Sequence, residues 1–466
     1  MTSGDLMALM PILILVSGSV LCLLVGALRP GRYLYTAAIL VVSAALLWSC
    51  AVPDAAMLPG LSVTPFSRFS SAFLYGTGII SLLLSISYNS RCGIVGEEYP
   101  ATILFALAGM GVTCAATDLL MLFLGLEAFT FAFYILVAIK RGSAGGGEAG
   151  LKYLLNGTLS AAILAMGIAL VYAARGTIKL AELASTGGGV PEPLFLAGGC
   201  LILVGMAFKL SLVPAHLWTA DVYQGAPAPV TALLSTSSKG ASLAALLLLL
   251  PLFSTWHGLH DILWLLALST LLAGNLAALA QNNLKRMLAW SSVGQMGYVA
   301  LALVAAPSGG TRAAAFYLVV YATAGLAAFG VVSVISDEDG LDAIEAYRGL
   351  GYRNPLAGAV LAVAMFSLAG IPPAAGFMGK FAVFAAALRG GEFVLALVGI
   401  LSALVAVFFY LRVVVVMYMK SSDAPLIPVR RLNCGEVAAL LAPAFVMVLL
   451  GVYPQPLLKL LERIII

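Results

Sequence analysis

Residues 208–218 read FKLSLVPAHLW and close an apolar segment that begins at Leu194. At about 1.5 Å of rise per residue, such a segment is long enough to cross the hydrocarbon core of a bilayer. It nevertheless carries Lys209, Pro214 and His216. A lysine near the bilayer centre costs at least ~2.5–3.5 kcal/mol. Proline lacks an N–H, so the carbonyl of Leu210, four residues before Pro214, loses its helical donor. Both defects persist at membrane depth only where water or buried polar groups satisfy them. The segment therefore reads as a broken membrane helix facing a polar interior.

The rest of the chain fits that setting. Of 466 residues, 62% are hydrophobic and 9% charged, against about 25% charged in soluble domains. Apolar runs of roughly 18–25 residues recur from end to end. They predict an all-α polytopic membrane protein with about fourteen transmembrane helices, near 6–28, 33–51, 67–88, 100–116, 118–140, 149–174, 194–218, 229–250, 259–280, 284–305, 312–336, 354–388, 392–419 and 434–453. The runs are continuous and lack a period of two, which excludes a β-barrel. The longest polar stretches, Ser336–Asn354 and Lys420–Asn433, are loops. The first span has no basic n-region and is followed by Arg29 and Arg32, so it reads as a retained helix.

Basic residues set the expected orientation. Loops after odd-numbered spans hold 13 Lys and Arg, and those after even-numbered spans, with the C-terminus, hold 7. The positive-inside rule then places odd loops in the cytoplasm and both termini on the outer side. Four basic residues remain inside spans: Lys209, Lys239, Lys380 and Arg412. The six cysteines are scattered and no histidines cluster, so neither an iron–sulfur ligand set nor another redox centre is indicated. Nothing in the charge pattern points to nucleic acid.

Four ionisable residues stand out in apolar surroundings: Glu127 in FLGLEAFTF, Lys209, Lys239 in LLSTSSKGAS, and Lys380 in AGFMGKFAVF. Around Lys239, Thr231, Ser235, Ser238 and Ser242 share one face of a regular helix. That stripe predicts a hydrated path; close helix packing through small residues is the alternative. The twelfth span repeats the break, because Pro372 and Pro373 in GIPPAAGFMGK free the carbonyls of Leu368 and Ala369. Two broken spans, five apart and each with a buried lysine, form a pattern seen in repeated transporter halves. Lys380 lies past its break, roughly 12 Å along a resumed helix, so it is expected on the outer side as an exit group. Arg412, Lys152, Lys285 and Arg286 lie near span ends, where interfacial snorkelling is the ordinary reading. His216 reads equally as a satisfied polar residue or as a path residue.

At this point the motifs are specific. FKLSLVPAHLWTADVYQGAPAPVTALLSTSSKGAS (208–242), NNLKRMLAWSSVGQMGYVAL (282–301) and GIPPAAGFMGKF (370–381) resemble the antiporter-like subunits of proton-pumping NADH:quinone oxidoreductase, respiratory complex I. DVYQGAPAPVTA is most similar to the N-subunit branch. The resemblance implies fourteen helices, with two inverted five-helix repeats and broken helices 7 and 12. It divides the chain into a three-helix segment (1–99), a first repeat (100–250), a second repeat (251–419) and a C-terminal helix (420–466). By motif, Glu127, Lys209, Lys239 and Lys380 match the family's buried ionisable positions, and Lys152, His216 and Lys285 match further polar ones. Span 11 departs from some relatives, having Tyr317, Tyr321 and Thr323 but no Lys or His.

The resemblance implies a proton-translocating subunit with no redox chemistry of its own. NAD, FMN and iron–sulfur clusters would lie in partner subunits and the complex would use quinone. Its partners would be other complex I membrane subunits, including a neighbouring antiporter-like one, in a bacterial inner membrane. Two rivals are a subunit of a multisubunit Na⁺/H⁺ antiporter and a related membrane-bound hydrogenase-type subunit. A Na⁺ site needs oxygen ligands, and the spans offer few carboxylates beyond Glu127 and Asp118.

Overall fold

A computed structural model describes residues 3–52, 57–185, 192–253, 256, 258–335, 342–420 and 431–465. The opening helices are α1 (Ser3–Leu28), α2 (Tyr33–Ala51), α3 (Pro65–Arg91), α4 (Glu98–Ala115), α5 (Leu119–Val137), α6 (Ala144–Arg175) and the short α7 (Leu180–Ser185). The first broken span is α8 (Pro193–Leu210) and α9 (Trp218–Gly225). The next runs through α10 (Ala228–Leu233), a π turn at Leu234–Ser238, and α11 (Lys239–Leu249). Then follow α12 (Gly258–Leu279), α13 (Leu284–Val304), α14 (Gly310–Ile335) and α15 (Leu350–Arg353). The second broken span is α16 (Pro355–Ala369) and α17 (Ala375–Arg389), followed by α18 (Phe393–Met419), α19 (Cys434–Val452) and α20 (Gln455–Ile464).

Among the described residues, 13 helices are long and apolar enough to cross a membrane. The broken pair α16–α17 supplies the fourteenth span expected from the sequence, its halves each only 15 residues long. One small departure from an all-helical chain is a pair of two-residue strands, Met57–Leu58 and Leu61–Ser62, joined antiparallel.

Helix starts follow their caps. Asp118 accepts from the Met121 amide at 2.7 Å and Asn283 from the Arg286 amide at 2.9 Å. Asn354 caps the proline-led α16, accepting from the Ala357 amide at 3.2 Å. Each side-chain oxygen satisfies an amide that the helix itself leaves unpaired. At the other end of α16, Gly370 takes the left-handed φ of +87°. A Cβ there would sit 2.9 Å from the Lys380 side chain, so glycine serves both the turn and the close approach.

The chain forms two compact units. Unit 1 comprises Met1–Leu82, Ile94–Leu210 and Ser237–Leu259. Within it α4 is the central helix, 72% of its apolar window being buried. Unit 2 comprises Leu83–Gly93, Ser211–Thr236 and His260–Ile466. There α13 and α14 are almost wholly enclosed, 94% of each window being buried. Arg91, at the end of α3, pairs at 3.3 Å with Glu436 in the first turn of α19, a carboxylate that also closes a capping box with Asn433.

Candidate functional site

In unit 1 the break ends α8 at Leu210, immediately after Lys209. The Lys209 ammonium donates to Glu127 Oε1 at 2.8 Å and to Thr130 Oγ1 at 2.6 Å. Glu127 and Thr130 are three residues apart on α5, hence on one face. The lysine side chain is 2% exposed and the glutamate 23%, so the cation is the enclosed partner and the carboxylate lies at the edge of the unit. Lys239, fully buried, donates from Nζ to the backbone carbonyl of Lys209 at 3.2 Å. That carbonyl belongs to the last turn of α8, where helix carbonyls lack amide donors and the helix dipole presents negative charge.

The stripe expected around Lys239 is altered by the π turn at Leu234–Ser238. Thr236 Oγ1 donates to the Ala232 carbonyl at 2.7 Å and Ser235 Oγ to the same carbonyl at 3.1 Å. Hydroxyls bonded this way compete with backbone amides and open the helix. A π turn inserts one residue, so the regular i, i+4, i+7 spacing does not carry through to Lys239. Ser242 meanwhile donates to the Ser238 carbonyl at 2.7 Å.

In unit 2 the second break makes a different lysine site. Lys380 Nζ donates to the carbonyls of Leu368 and Ala369, each at 2.9 Å. These are the two carbonyls that Pro372 and Pro373 deprive of donors. The ammonium also lies 5.1 Å from the centre of the Tyr298 ring, within cation–π range. The expectation that Lys380 lies a full 12 Å beyond the break, as roughly two turns of helix would place it, needs correction. Side chains on a helix lean toward its N-terminus, and a lysine stem is long enough to carry the charge back into the break.

The Leu368 carbonyl also accepts from Gln295 Nε2 at 3.3 Å. Gln295 in turn donates to Tyr410 Oη at 2.8 Å and accepts from the Tyr317 hydroxyl; Tyr410 also bonds Ser291. About one helical turn away, Tyr321 donates to Ser292 Oγ at 2.7 Å. Tyr317 and Tyr321 of span 11 are thus both hydrogen-bonded to residues of α13. Sequence reading missed Gln295, although Lys285, Ser292 and Gln295 follow i, i+7, i+10, a stripe on α13.

Lys285 is also buried. Its Nζ donates to the carbonyls of Gln224 at 3.1 Å and Ala226 at 3.2 Å, at the C-terminal end of α9, and lies 3.3 Å from Asp342. Burial and these partners replace the snorkelling expected of it. Arg286, whose side chain stays 32% exposed, bonds Asp221 at 2.6 Å and the Gln224 side chain at 3.0 Å. His216 lies within the first break, its ring edge-on to Trp290 with centroids 5.3 Å apart. Lys152 stays apart from these sites: it is 44% exposed and pairs with Glu148 one turn earlier at 2.7 Å. Arg412 reaches the Gln281 carbonyl at the end of span 9. Among the described residues no three His, Cys, Asp or Glu side chains group to hold a metal ion.

Two broken helices, lysines seated on the exposed carbonyl ends of half-helices, and a buried lysine–carboxylate pair define an ion-translocating membrane subunit of the antiporter-like class. The comparisons agree. Residues 116–406 match the family described as NADH:quinone oxidoreductase/Mrp antiporter, transmembrane, and the chain belongs to that family, in its NADH-quinone oxidoreductase subunit N branch. Subunit N of Geotalea uraniireducens (strain Rf4) is 52% identical over 469 residues, covering 100% of both chains. The Geobacter metallireducens protein of the same name is 50% identical over 471 residues, again covering 100% of both. A chain of the respiratory complex I from Thermus thermophilus with bound aureothin superposes with a TM-score of 0.82 at 34% identity, covering 96% of this chain and 98% of that one. A chain of the Mrp complex from Dietzia sp. DQ12-45-1b shares the fold, with a TM-score of 0.87 at 23% identity over 99% and 96% of the two chains.

Proposed function

We propose that this chain is a proton-translocating membrane subunit of a respiratory NADH:quinone oxidoreductase, driven by redox chemistry in its partners. The observation that carries the reading is the buried Lys209–Glu127 pair at 2.8 Å, with Lys239 bonded to the carbonyl of the same Lys209. While Glu127 is close, its charge holds the proton on Lys209. If a partner draws the carboxylate away, the ammonium is left in a low-dielectric site and releases its proton toward Lys239. Unit charges roughly 4 Å apart at an effective dielectric constant of about 20 interact by about 4 kcal/mol. Moving one charge against 100 mV costs about 2.3 kcal/mol. Making and breaking one such pair is therefore large enough to move one proton.

Lys380 serves the second repeat (251–419) as Lys209 and Lys239 serve the first (100–250), with His216 and Lys285 as further proton-transfer groups. The outer side of the second break is the exit. Lys152 enters by motif alone, and its exposed pairing with Glu148 fits an auxiliary role at most. NAD, FMN, the iron–sulfur clusters and the quinone site belong to partner subunits. The neighbours in the bacterial inner membrane include another antiporter-like subunit, and both termini lie on the outer side.

The test is proton uptake by the complete complex in sealed vesicles. Lys209→Ala is expected to lower pumping while the complex still assembles, and Lys209→Arg is expected to do little better, since a guanidinium does not release its proton in this range. Wild-type pumping by the Arg variant would remove the proton-release role. Activity that required Na⁺ would favour the antiporter reading instead.

A further inference from the structure

Unit 2 contains a second buried lysine–carboxylate pair that motif matching does not reveal. Lys285, on the first turn of α13, lies 3.3 Å from Asp342, and the two side chains are 8% and 11% exposed. Asp342 follows α14 in a polar loop, where an aspartate ordinarily reads as solvated. Here the backbone fixes it. Its carbonyl accepts from the Leu284 amide at 2.6 Å, and the Ile344 amide donates to the Asn282 carbonyl at 2.8 Å. These bonds flank an isolated antiparallel bridge between Asn283 and Ala343. These bonds hold the Asp342 backbone beside Leu284, one residue from Lys285, and leave its side chain able to rotate.

The other side of the lysine is built with equal care. The carbonyls of Gln224 and Ala226 form the negative end of α9. Arg286 holds that end through Asp221 and the Gln224 side chain. Lys285 therefore sits between a helix terminus, which is fixed, and a loop carboxylate, its one ion-pair partner among the described residues, which a side-chain rotation can move. Tyr88 and Tyr347 also lie close enough to Asp342 to interact with it electrostatically.

We infer that Asp342 is a positioning residue that governs proton retention on Lys285, so that unit 2 has its own acid–lysine switch. The inference rests on the reading of Lys285 as a proton-transfer group. With the pair closed, the anionic carboxylate keeps the ammonium charged. When it opens, one N–H bond of Lys285 breaks, the proton passes to water in the polar interior, and a neutral amine remains until a second proton restores it. No electron changes hands.

The test uses the complete complex in sealed vesicles, with assembly, redox turnover and initial pumping rate measured across the neutral pH range. Asp342→Asn keeps an oxygen to accept from Lys285 and removes only the charge. It is expected to assemble and to pump about threefold to tenfold more slowly, with a displaced pumping–pH profile. Asp342→Glu is expected to restore most of the rate. An Asn variant with wild-type rate and profile would overturn the inference, leaving the pair as a loop fastening. Should the Asn variant not assemble, Lys285→Arg decides: slower pumping by an assembled complex supports proton release from Lys285 and wild-type pumping overturns it, since a guanidinium keeps the pair but does not release its proton. Lys285→Met separates the two levels, since wild-type pumping there would defeat the role of Lys285 itself and the inference with it.

Discussion

At the first break Lys209 meets a carboxylate 2.8 Å away; at the second, Lys380 meets two backbone carbonyls, each at 2.9 Å. Among the described residues no carboxylate pairs with Lys380. Both lysines are buried and both lie beside a proline-interrupted helix. The difference lies in what holds the charge. At the first break it is a side chain on another helix, which a neighbour can draw away. At the second it is the fixed end of the lysine's own broken span, whose dipoles do not move independently. A switch needs a partner that can leave, and a static waiting site needs one that cannot. In the proposed mechanism the first break is the trigger and the second a resting place for a proton.

The largest expected effect comes from removing each lysine and measuring stability. Lys209→Met strands the Glu127 carboxylate in an apolar span. Losing one partner of a buried pair costs about 3–5 kcal/mol, and partial exposure of Glu127 reduces the expected loss to roughly 2–3 kcal/mol. Thermal unfolding of the purified complex should show it, and an unchanged midpoint would mean the pair is not held in the membrane. Adding Glu127→Gln to Lys209→Met should recover part of the loss. The double-mutant cycle is expected to give a coupling of about 1–3 kcal/mol, and a value near zero would contradict a direct pair.

Lys380→Met should behave differently. Each carbonyl partner that loses its donor costs about 1–3 kcal/mol, but no charge is stranded and the cost of enclosing a cation is removed. The two terms oppose, so stability should change by less than in Lys209→Met while pumping falls. A large loss of stability would reveal a counter-charge at the second break. At the small end of the scale stands an ion pair outside the spans. The Lys420 ammonium and, next, the Arg348 guanidinium hold the Glu345 carboxyl below the usual carboxylate range. A lowered carboxylate contributes stability at neutral pH, and that contribution fades as acid brings the pH down through the lowered value. Glu345 is 52% exposed, so Glu345→Gln should cost less than about 1 kcal/mol at neutral pH. The difference from wild type should vanish in acid, and a cost that persists there would assign it to packing.

Much of the site was legible in the amino-acid sequence. Glu127 and Thr130 share a helix face, and a hydroxyl three residues from a lone glutamate is a readable sign. The prolines named the carbonyls that Lys380 occupies. Other parts left weaker signs or none. Lys285 looks like an interfacial anchor because nothing local shows that it turns inward. Asp342 looks solvated because its neighbours are polar, and its clamp comes from the amide of Leu284. The π turn was hidden because helix periodicity assumes that every backbone amide finds its regular partner.

By itself the sequence determined the membrane setting, the spans, both breaks and the lysines beside them. Those properties are local: apolar run length fixes crossing, and proline removes a donor wherever it stands. Only the tertiary structure decided which partner each charge takes. Glu127 and Lys209 are 82 residues apart, and Lys239 is 30 residues from the carbonyl it holds. In an apolar interior a charge is satisfied by whichever polar group the fold brings within about 3 Å, and that proximity is set by packing and not by sequence spacing.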